Sequence, residues 1–393
     1  MAIYGMNGGA LATAYSKTGA GLSSAYNVTG TQVFVGGSDY DEWTTEYQHT
    51  ILQARDAWAS EYRTDSTIVP IVISTDQHGT LSGQWAEDLY AYLSLAVNWS
   101  ECSACLNLGD VVASSYDETA LNNMVSTFAP IPKAKQINIV GNHDTWGSWT
   151  SDSSLDAPTQ AFWGSLLSFF DNSGYNGYIR LGTHQTAEYM IDAAKKVKYV
   201  VVGGWDYDKQ IGGYSHYLID SDNLDAIISA LSAVDDKDII LLSHIQPFNG
   251  TLQYGHDVWQ LPAVDGNEAT SEDRVIEPMV NRSETTLNAL FNARKAKTSG
   301  TVNDSYGNSH SFDFTNCTSD LLCTLHGHWH EDLYNWYGAN NIPTVLFDSM
   351  HYDNHPFYFV NVDRTLQRLS IWKVDDSPTF YHFQVPFERA VNT

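Results

Sequence analysis

The chain has 393 residues, with 20 Lys and Arg against 46 Asp and Glu, for a net charge of −26. A field of that sign repels polyanions and draws divalent cations, which excludes long nucleic acid as a partner unless metal masks the charge. Hydrophobic residues make up 43% of the chain, an ordinary globular share, and no apolar run is long enough for a membrane span. The start lacks a basic stretch followed by an apolar core, so no signal peptide is expected, and the location stays open between the cytoplasm and a virion or cell surface.

Residues 1–38 read as a leader distinct from the rest, rich in Gly, Ala, Ser and Thr and free of Asp and Glu. Within it, Ala14-Tyr15-Ser16-Lys17-Thr18-Gly19 recurs as Ala25-Tyr26-Asn27-Val28-Thr29-Gly30. Such a segment buries little apolar area alone. It is either a flexible leader or a short β-rich attachment segment, similar to the leaders of some phage structural proteins. The second reading carries a homo-oligomer or a larger assembly held through residues 1–38. Residues 39–393 read as one domain.

In that domain Tyr47, Ile51, Ala54 and Trp58 recur at helical spacing. A buried strand over 68–74 leads into Thr75-Asp76-Gln77-His78, and a helix is expected over 83–99. A second strand, 104–108, ends in Gly109-Asp110, followed by a helix near 119–128. A third, 136–140, ends in Gly141-Asn142-His143-Asp144. This alternation predicts α/β units. Further on, a helix near 159–170, a strand over 196–203, a helix over 221–233 and a strand over 238–242 ending in Ser243-His244 are expected. Residues 246–283 look irregular, and a helix follows near 284–294. The strand 321–325 runs into His326-Gly327-His328-Trp329-His330, and 344–347, 357–362 and 368–374 look like consecutive antiparallel strands.

Five polar clusters thus stand at strand C-termini, where open α/β sheets place their ligands. They are Asp76/His78, Asp110, Asn142/His143, His244 and His328/His330. His143 aside, they offer two carboxylates, one amide oxygen and four imidazoles. Mixed oxygen and nitrogen donors without thiolate suit Mn, Fe or Zn. Seven ligands exceed the needs of one ion and suit two divalent ions sharing a carboxylate, ~3.5–4 Å apart. Cys102, Cys105, Cys317 and Cys323 do not form a four-thiolate zinc site and read as structural thiols or one disulfide.

The order Asp-x-His, Gly-Asp, Gly-Asn-His-Asp, His, Gly-His-x-His resembles the calcineurin-like metallophosphoesterase family across about residues 68–350. The resemblance implies a four-layer α/β/β/α sandwich of two mixed sheets, with the metal site at strand C-terminal ends. It implies that Asp76, His78, Asp110 and His330 hold one metal, and that Asp110, Asn142, His244 and His328 hold the second. It further implies a metal-bridging hydroxide as nucleophile, His143 as the acid, and Asp144 orienting that imidazole. The reaction implied is hydrolysis of a small or polymeric phosphoester. Alternatives on the same fold are a surface-attached phosphoesterase acting on a host phosphate polymer, and a phosphate-binding module without turnover. Two departures matter. Purple acid phosphatases carry a metal-binding Tyr where Ala113 stands, and Ser/Thr protein phosphatases carry an Arg soon after the Asp110 position, whereas here no Arg or Lys occurs before Lys133. The missing cation favours a diester, which has one negative charge fewer to neutralise, over a monoester.

Overall fold

The computed structural model describes residues 24–26, 32–35, 43–79, 84–112, 118–141, 144, 169–175, 177–181, 187–202, 206–208, 216–218, 221–233, 236–244, 251–254, 257–260, 285–304, 307–328, 330, 332–337, 340–350, 356–375 and 379–387. Asn142, His143 and the predicted helix at 159–170, apart from its last two residues, lie outside this set.

The helices are α1 (Trp43–Thr64), α2 (Gln84–Ala96), α3 (Glu118–Phe128), α4 (Ser221–Ser232) and α5 (Thr285–Ala296). In the first half of the chain the strands are β1 (Ser24–Tyr26), β2 (Gln32–Val35), β3 (Val69–Ser74), β4 (Ala104–Asn107), β5 (Gln136–Asn138), β6 (Tyr178–Arg180), β7 (Ala187–Asp192) and β8 (Val197–Val202). Then come β9 (Asp206–Asp208), β10 (His216–Leu218), β11 (Asp238–Leu242), β12 (Thr251–Tyr254), β13 (Asp257–Gln260), β14 (Ser299–Asn303) and β15 (Ser309–Asp313). The last are β16 (Leu321–His326), β17 (Leu333–Tyr337), β18 (Ile342–Leu346), β19 (Phe357–Asp363), β20 (Arg368–Val374) and β21 (Tyr381–Pro386).

Two mixed sheets form the centre. One has six strands in the order β21-β20-β19-β3-β4-β5, with β3, β4 and β5 parallel and the other three antiparallel. The other has nine, in the order β13-β12-β17-β18-β16-β11-β8-β7-β6, around a parallel run of β18, β16, β11 and β8. Within the leader, β1 and β2 pair as an antiparallel ribbon.

The layering follows from side-chain alternation along each strand. Val69, Ile71 and Ile73 of β3 face Tyr199, Val201, Ile240 and Leu242 of the other sheet, in a core between the two sheets. Val72, Cys105, Phe357 and Phe359 point the opposite way, onto α1, α2 and α3. Val200, Ile239 and Leu241 point onto α4 and α5. Because both faces of the central strands are covered, they read as unbroken apolar runs rather than alternating ones. Trp58 of α1 anchors its helix by donating Nε1–H to Val360 O at 3.1 Å while stacking on Phe359. Two buried cations close the C-terminus of α4, where unpaired carbonyls concentrate negative charge. Lys198 reaches Ala230 O and Ala233 O, and Arg294 reaches Leu231 O.

The structure adds β6, β7, β9, β10, β17 and β21 to the strands expected from the sequence, and it differs from the expectations in three further respects. The segment 344–347 does not continue antiparallel into 357–362. β18 lies parallel to β16 in the nine-stranded sheet, and the chain then crosses to the six-stranded sheet for β19. The irregular stretch after His244 contains the hairpin β12–β13, which extends the larger sheet. The hairpin β14–β15 went unpredicted because only Val302, His310 and Phe312 are buried in it, too few for an apolar pattern. The four cysteines are free and buried, with no disulfide among them. Burial pushes the Cys102 thiol up to about 12.

Candidate metal centre

Four of the five predicted clusters meet where the C-terminal ends of the two parallel runs face each other. Asp76 and His78 follow β3, Asp110 follows β4, His244 follows β11, and His328 and His330 follow β16. Backbone bonds carry the parallel pairing past the strand ends: Asp76 N–H donates to Gly109 O, His78 N–H to Asp110 O and Gly79 N–H to Val111 O. On the other sheet, Gly327 N–H donates to His244 O. The two sheets are tied by Met350 N–H to Thr75 O at 3.1 Å, and by His328 N–H to both carboxylate oxygens of Asp76 at 3.0 and 3.2 Å.

Two triads result. Ligand-type atoms of Asp76, His78 and His330 all lie within 4.8 Å of one another, and so do those of Asp110, His244 and His328. In the first, His78 Nε2 faces His330 Nε2 at 3.1 Å, and Asp76 Oδ1 stands 3.2 Å from His330 Nε2. In the second, Asp110 Oδ2 stands 3.0 Å from His244 Nε2. The triads touch, since the same Asp110 oxygen is 3.9 Å from His78 Nε2. Asp76 Oδ1 reaches across in the same way, 3.9 Å from His244 Nε2, so both carboxylates stand between the two groups.

Other groups fix these ligands. His244 Nδ1 meets Leu108 O at 2.7 Å. A carbonyl only accepts, so Nδ1 carries a proton, which leaves Nε2, 3.0 Å from Asp110 Oδ2, as the nitrogen that would face a cation once its own proton is lost. Thr75 Oγ–H donates to Asp76 Oδ2 at 2.6 Å, leaving Oδ1 turned toward the imidazoles. Asp144 is fully buried, and its carboxylate accepts from three backbone N–H groups, of Asp110, Val112 and Gly141. Beside the His330 loop, Lys373 Nζ bridges Asp332 at 2.6 Å and Asp348 at 2.8 Å, and Tyr358 O–H donates to Asp332.

Five of the six described ligand residues have left-handed backbone: Asp76 (φ 53°), His78 (51°), Asp110 (53°), His328 (76°) and His330 (55°). Non-glycine residues adopt this conformation rarely, and Asp and His are among those that tolerate it better. Close packing removes the side chain next to them. A Cβ on Gly141 would lie 2.1 Å from Asp110 Oδ1, and one on Gly327 would lie 2.1 Å from Thr75 Oγ1.

The electrostatics suit cations. Burial opposes ionisation of Asp76, yet the imidazoles of His244 and His330 outweigh it and hold the carboxyl below its usual range. Burial likewise opposes charge on His244, but Asp110 and Asp76 outweigh it and raise the imidazole to about 9. His328 is pushed down to about 3 by burial and by its neighbour His244. Two carboxylates and four imidazoles brought together out of water are costly unless cations join them, and an all-oxygen-and-nitrogen donor set fits Mn, Fe or Zn. The residues present fit two such ions. Asn142 and His143, the remaining expected members, lie outside the described residues.

No protein-family model and no curated protein matches the sequence. Among solved structures, the chain is similar to a purple acid phosphatase from yellow lupin seeds (11% identity, 81% of this chain and 54% of that one, TM-score 0.40). It spans about half of that phosphatase. It is also similar to PhoD (7% identity, 80% and 68% covered, TM-score 0.45) and to the phosphopantetheinyl hydrolase PptH of Mycobacterium tuberculosis (13%, 72% and 91%, TM-score 0.34). At TM-scores below 0.5 these likenesses do not bear on the chemistry of the site. Two mixed sheets covered by helices, with Asp and His gathered at the strand ends, form the arrangement that the resemblance to calcineurin-like metallophosphoesterases implies.

Proposed function

We propose that the chain is a two-metal phosphoester hydrolase of the calcineurin-like kind. The observation that carries this reading is the meeting of two Asp/His triads, buried except for the half-buried His328 and His330, across the junction of the two sheets. Asp76, His78, Asp110 and His330 hold one ion; Asp110, Asn142, His244 and His328 hold the other; Asp110 is shared. Two cations held there lower the pKa of water to ~7 and offset charge on the ester oxygens.

The remaining work falls to the chain. Thr75 and the His328 N–H orient Asp76, and Leu108 O sets the tautomer of His244. His143 gives an imidazole proton to the departing ester oxygen, a task suited to its ordinary pKa. A diester is the favoured substrate, because the stretch after Asp110 holds no Arg or Lys up to Lys133 to pair with a second phosphate charge.

The test compares the bis-ester and mono-ester of p-nitrophenyl phosphate with an alkyl diester, using metal-stripped protein and added Mn, Fe or Zn. Turnover is expected only with metal, faster on diesters, and lost in Asp110→Asn. His143→Ala should slow the alkyl diester by ~10²–10⁴ and the nitrophenyl esters less, because nitrophenolate leaves without a proton. Absence of turnover with every metal would overturn the hydrolase and leave phosphate binding on the same fold.

A further inference from the structure

Asp144 directs its carboxylate not outward but into the backbone. Oδ2 accepts from Asp110 N–H at 3.0 Å and from Gly141 N–H at 2.8 Å, and Oδ1 accepts from Val112 N–H at 3.1 Å. The donors sit on two loops, the one after β4 that carries Asp110 and the one after β5 that leads into Asn142 and His143. Asp110 has a φ of +53°, a conformation its own backbone does not favour. Its loop and the next are so close that a Cβ on Gly141 would stand 2.3 Å from Asp110 N.

We propose that Asp144 is a positioning residue whose carboxylate clamps the Asp110 loop to Gly141 just beyond β5, and so sets the geometry of the shared metal ligand without touching ion or substrate. This rests on the two-metal reading above. Burial and the neighbouring Asp110 push the Asp144 carboxyl up to about 8, against the N–H groups of Gly141 and Val112. All three of its bonds are accepted, which suits the carboxylate form, since it only accepts and offers two oxygens to several donors. An amide of the same shape has one acceptor oxygen and turns an NH₂ toward a backbone N–H.

The experiment titrates Mn into metal-stripped protein and follows free Mn by electron paramagnetic resonance. Asp144→Asn should bind Mn ~10–100-fold more weakly. It should still take two ions at saturation, recover part of its kcat there, and keep KM for the ester. His143→Ala, run alongside, should keep the parental Mn affinity. Asp144→Asn with parental Mn affinity and the kinetic loss of His143→Ala would overturn the proposal, since Asp144 would then act through that imidazole. Should Asp144→Asn fail to fold, Asp144→Glu keeps the charge but displaces the carboxylate, and parental Mn affinity there would overturn it equally. In the parent, the amides of Asp110, Val112 and Gly141 should exchange slowly with solvent before metal is added, and fast exchange would overturn the clamp without any variant. A parent that takes up two Mn ions but hydrolyses no ester would sink the catalytic reading alone.

Discussion

One methyl group at position 327 tests how tightly the two sheets meet. A Cβ built on Gly327 falls 2.1 Å from Thr75 Oγ1 and 2.5 Å from Asp76 Oδ2. Neither atom is the free end of a flexible chain: they bond each other at 2.6 Å, and Asp76 also accepts from His328 N–H at 3.0 Å. Gly327→Ala must therefore push the two strand ends apart. Overpacking costs ~1–3 kcal/mol, and losing a hydrogen bond to a charged group a further ~1.5–3, so the loss should be about 2.5–6 kcal/mol. Gly307→Ala is the control. Its φ is +90° with nothing within 4 Å of the added carbon, which leaves only a backbone term of ~1–2 kcal/mol. Urea unfolding of the metal-stripped variants measures both losses, and Mn titration measures the consequence. Gly327→Ala should also weaken Mn binding ~10–100-fold, and Gly307→Ala should leave it unchanged. Equal losses in the two variants, or a Gly327→Ala protein with parental Mn affinity, would refute the close approach on which this reasoning stands.

Two further outcomes follow from the same neighbourhood. In the metal-stripped protein His244 is raised from 6.5 to about 9 by Asp110 and Asp76 against the effect of burial. A group bound to its proton more tightly when folded stabilises the fold fully below its unfolded pKa, so this contribution should be present below about pH 6.5 and fade as the pH rises through about 9. Urea midpoints across that window measure it, and a slope that persists unchanged in His244→Gln would refute the assignment. Lys373→Met should leave the carboxylates of Asp332 and Asp348, now 2.6 and 2.8 Å from Nζ, facing one another without a cation. Breaking a buried pair costs ~3–5 kcal/mol. The three side chains keep 12–20% of their exposure, and burial raises the Asp348 carboxyl in spite of the lysine, so the lower end of that range is expected. A loss below ~1 kcal/mol would class the cluster with ordinary surface pairs.

The six Asp and His that gather at the sheet junction are legible in the sequence because each stands shortly after an apolar run that reads as a covered strand. Asp76 and His78 follow Val69–Ser74, and His328 and His330 follow Leu321–His326. What the sequence does not carry is the partner of each strand. The runs that became β18 and β19 look alike in composition, yet one pairs with β16 and the other with β3. Pairing is decided by which core each run helps to fill, and that is a property of the whole chain. The polar hairpin β14–β15 escaped for the opposite reason, having almost no apolar residue to mark it. Gly-Asn and Gly-His are common dipeptides and, taken alone, say little in a sequence. At Gly141 and Gly327 they are informative only once the neighbouring Asp110 and Thr75 atoms are seen 2.1 Å from where a side chain would begin.

Left-handed backbone at Asp76, His78, Asp110, His328 and His330 explains why the bonds around the centre are so dense. At ~1–2 kcal/mol per residue, five such residues set about 5–10 kcal/mol against the fold, as much as the whole stability of many domains. The conformation persists only because the surroundings over-determine it. Thr75 holds Asp76, Leu108 O holds His244, Asp144 holds Asp110, and the inter-sheet bonds from Met350 and His328 hold the two loop sets together. These contacts are made entirely by the chain's own atoms. In the proposed two-metal centre, changes one bond removed from the triads should therefore reach the metal as surely as changes to the triads themselves.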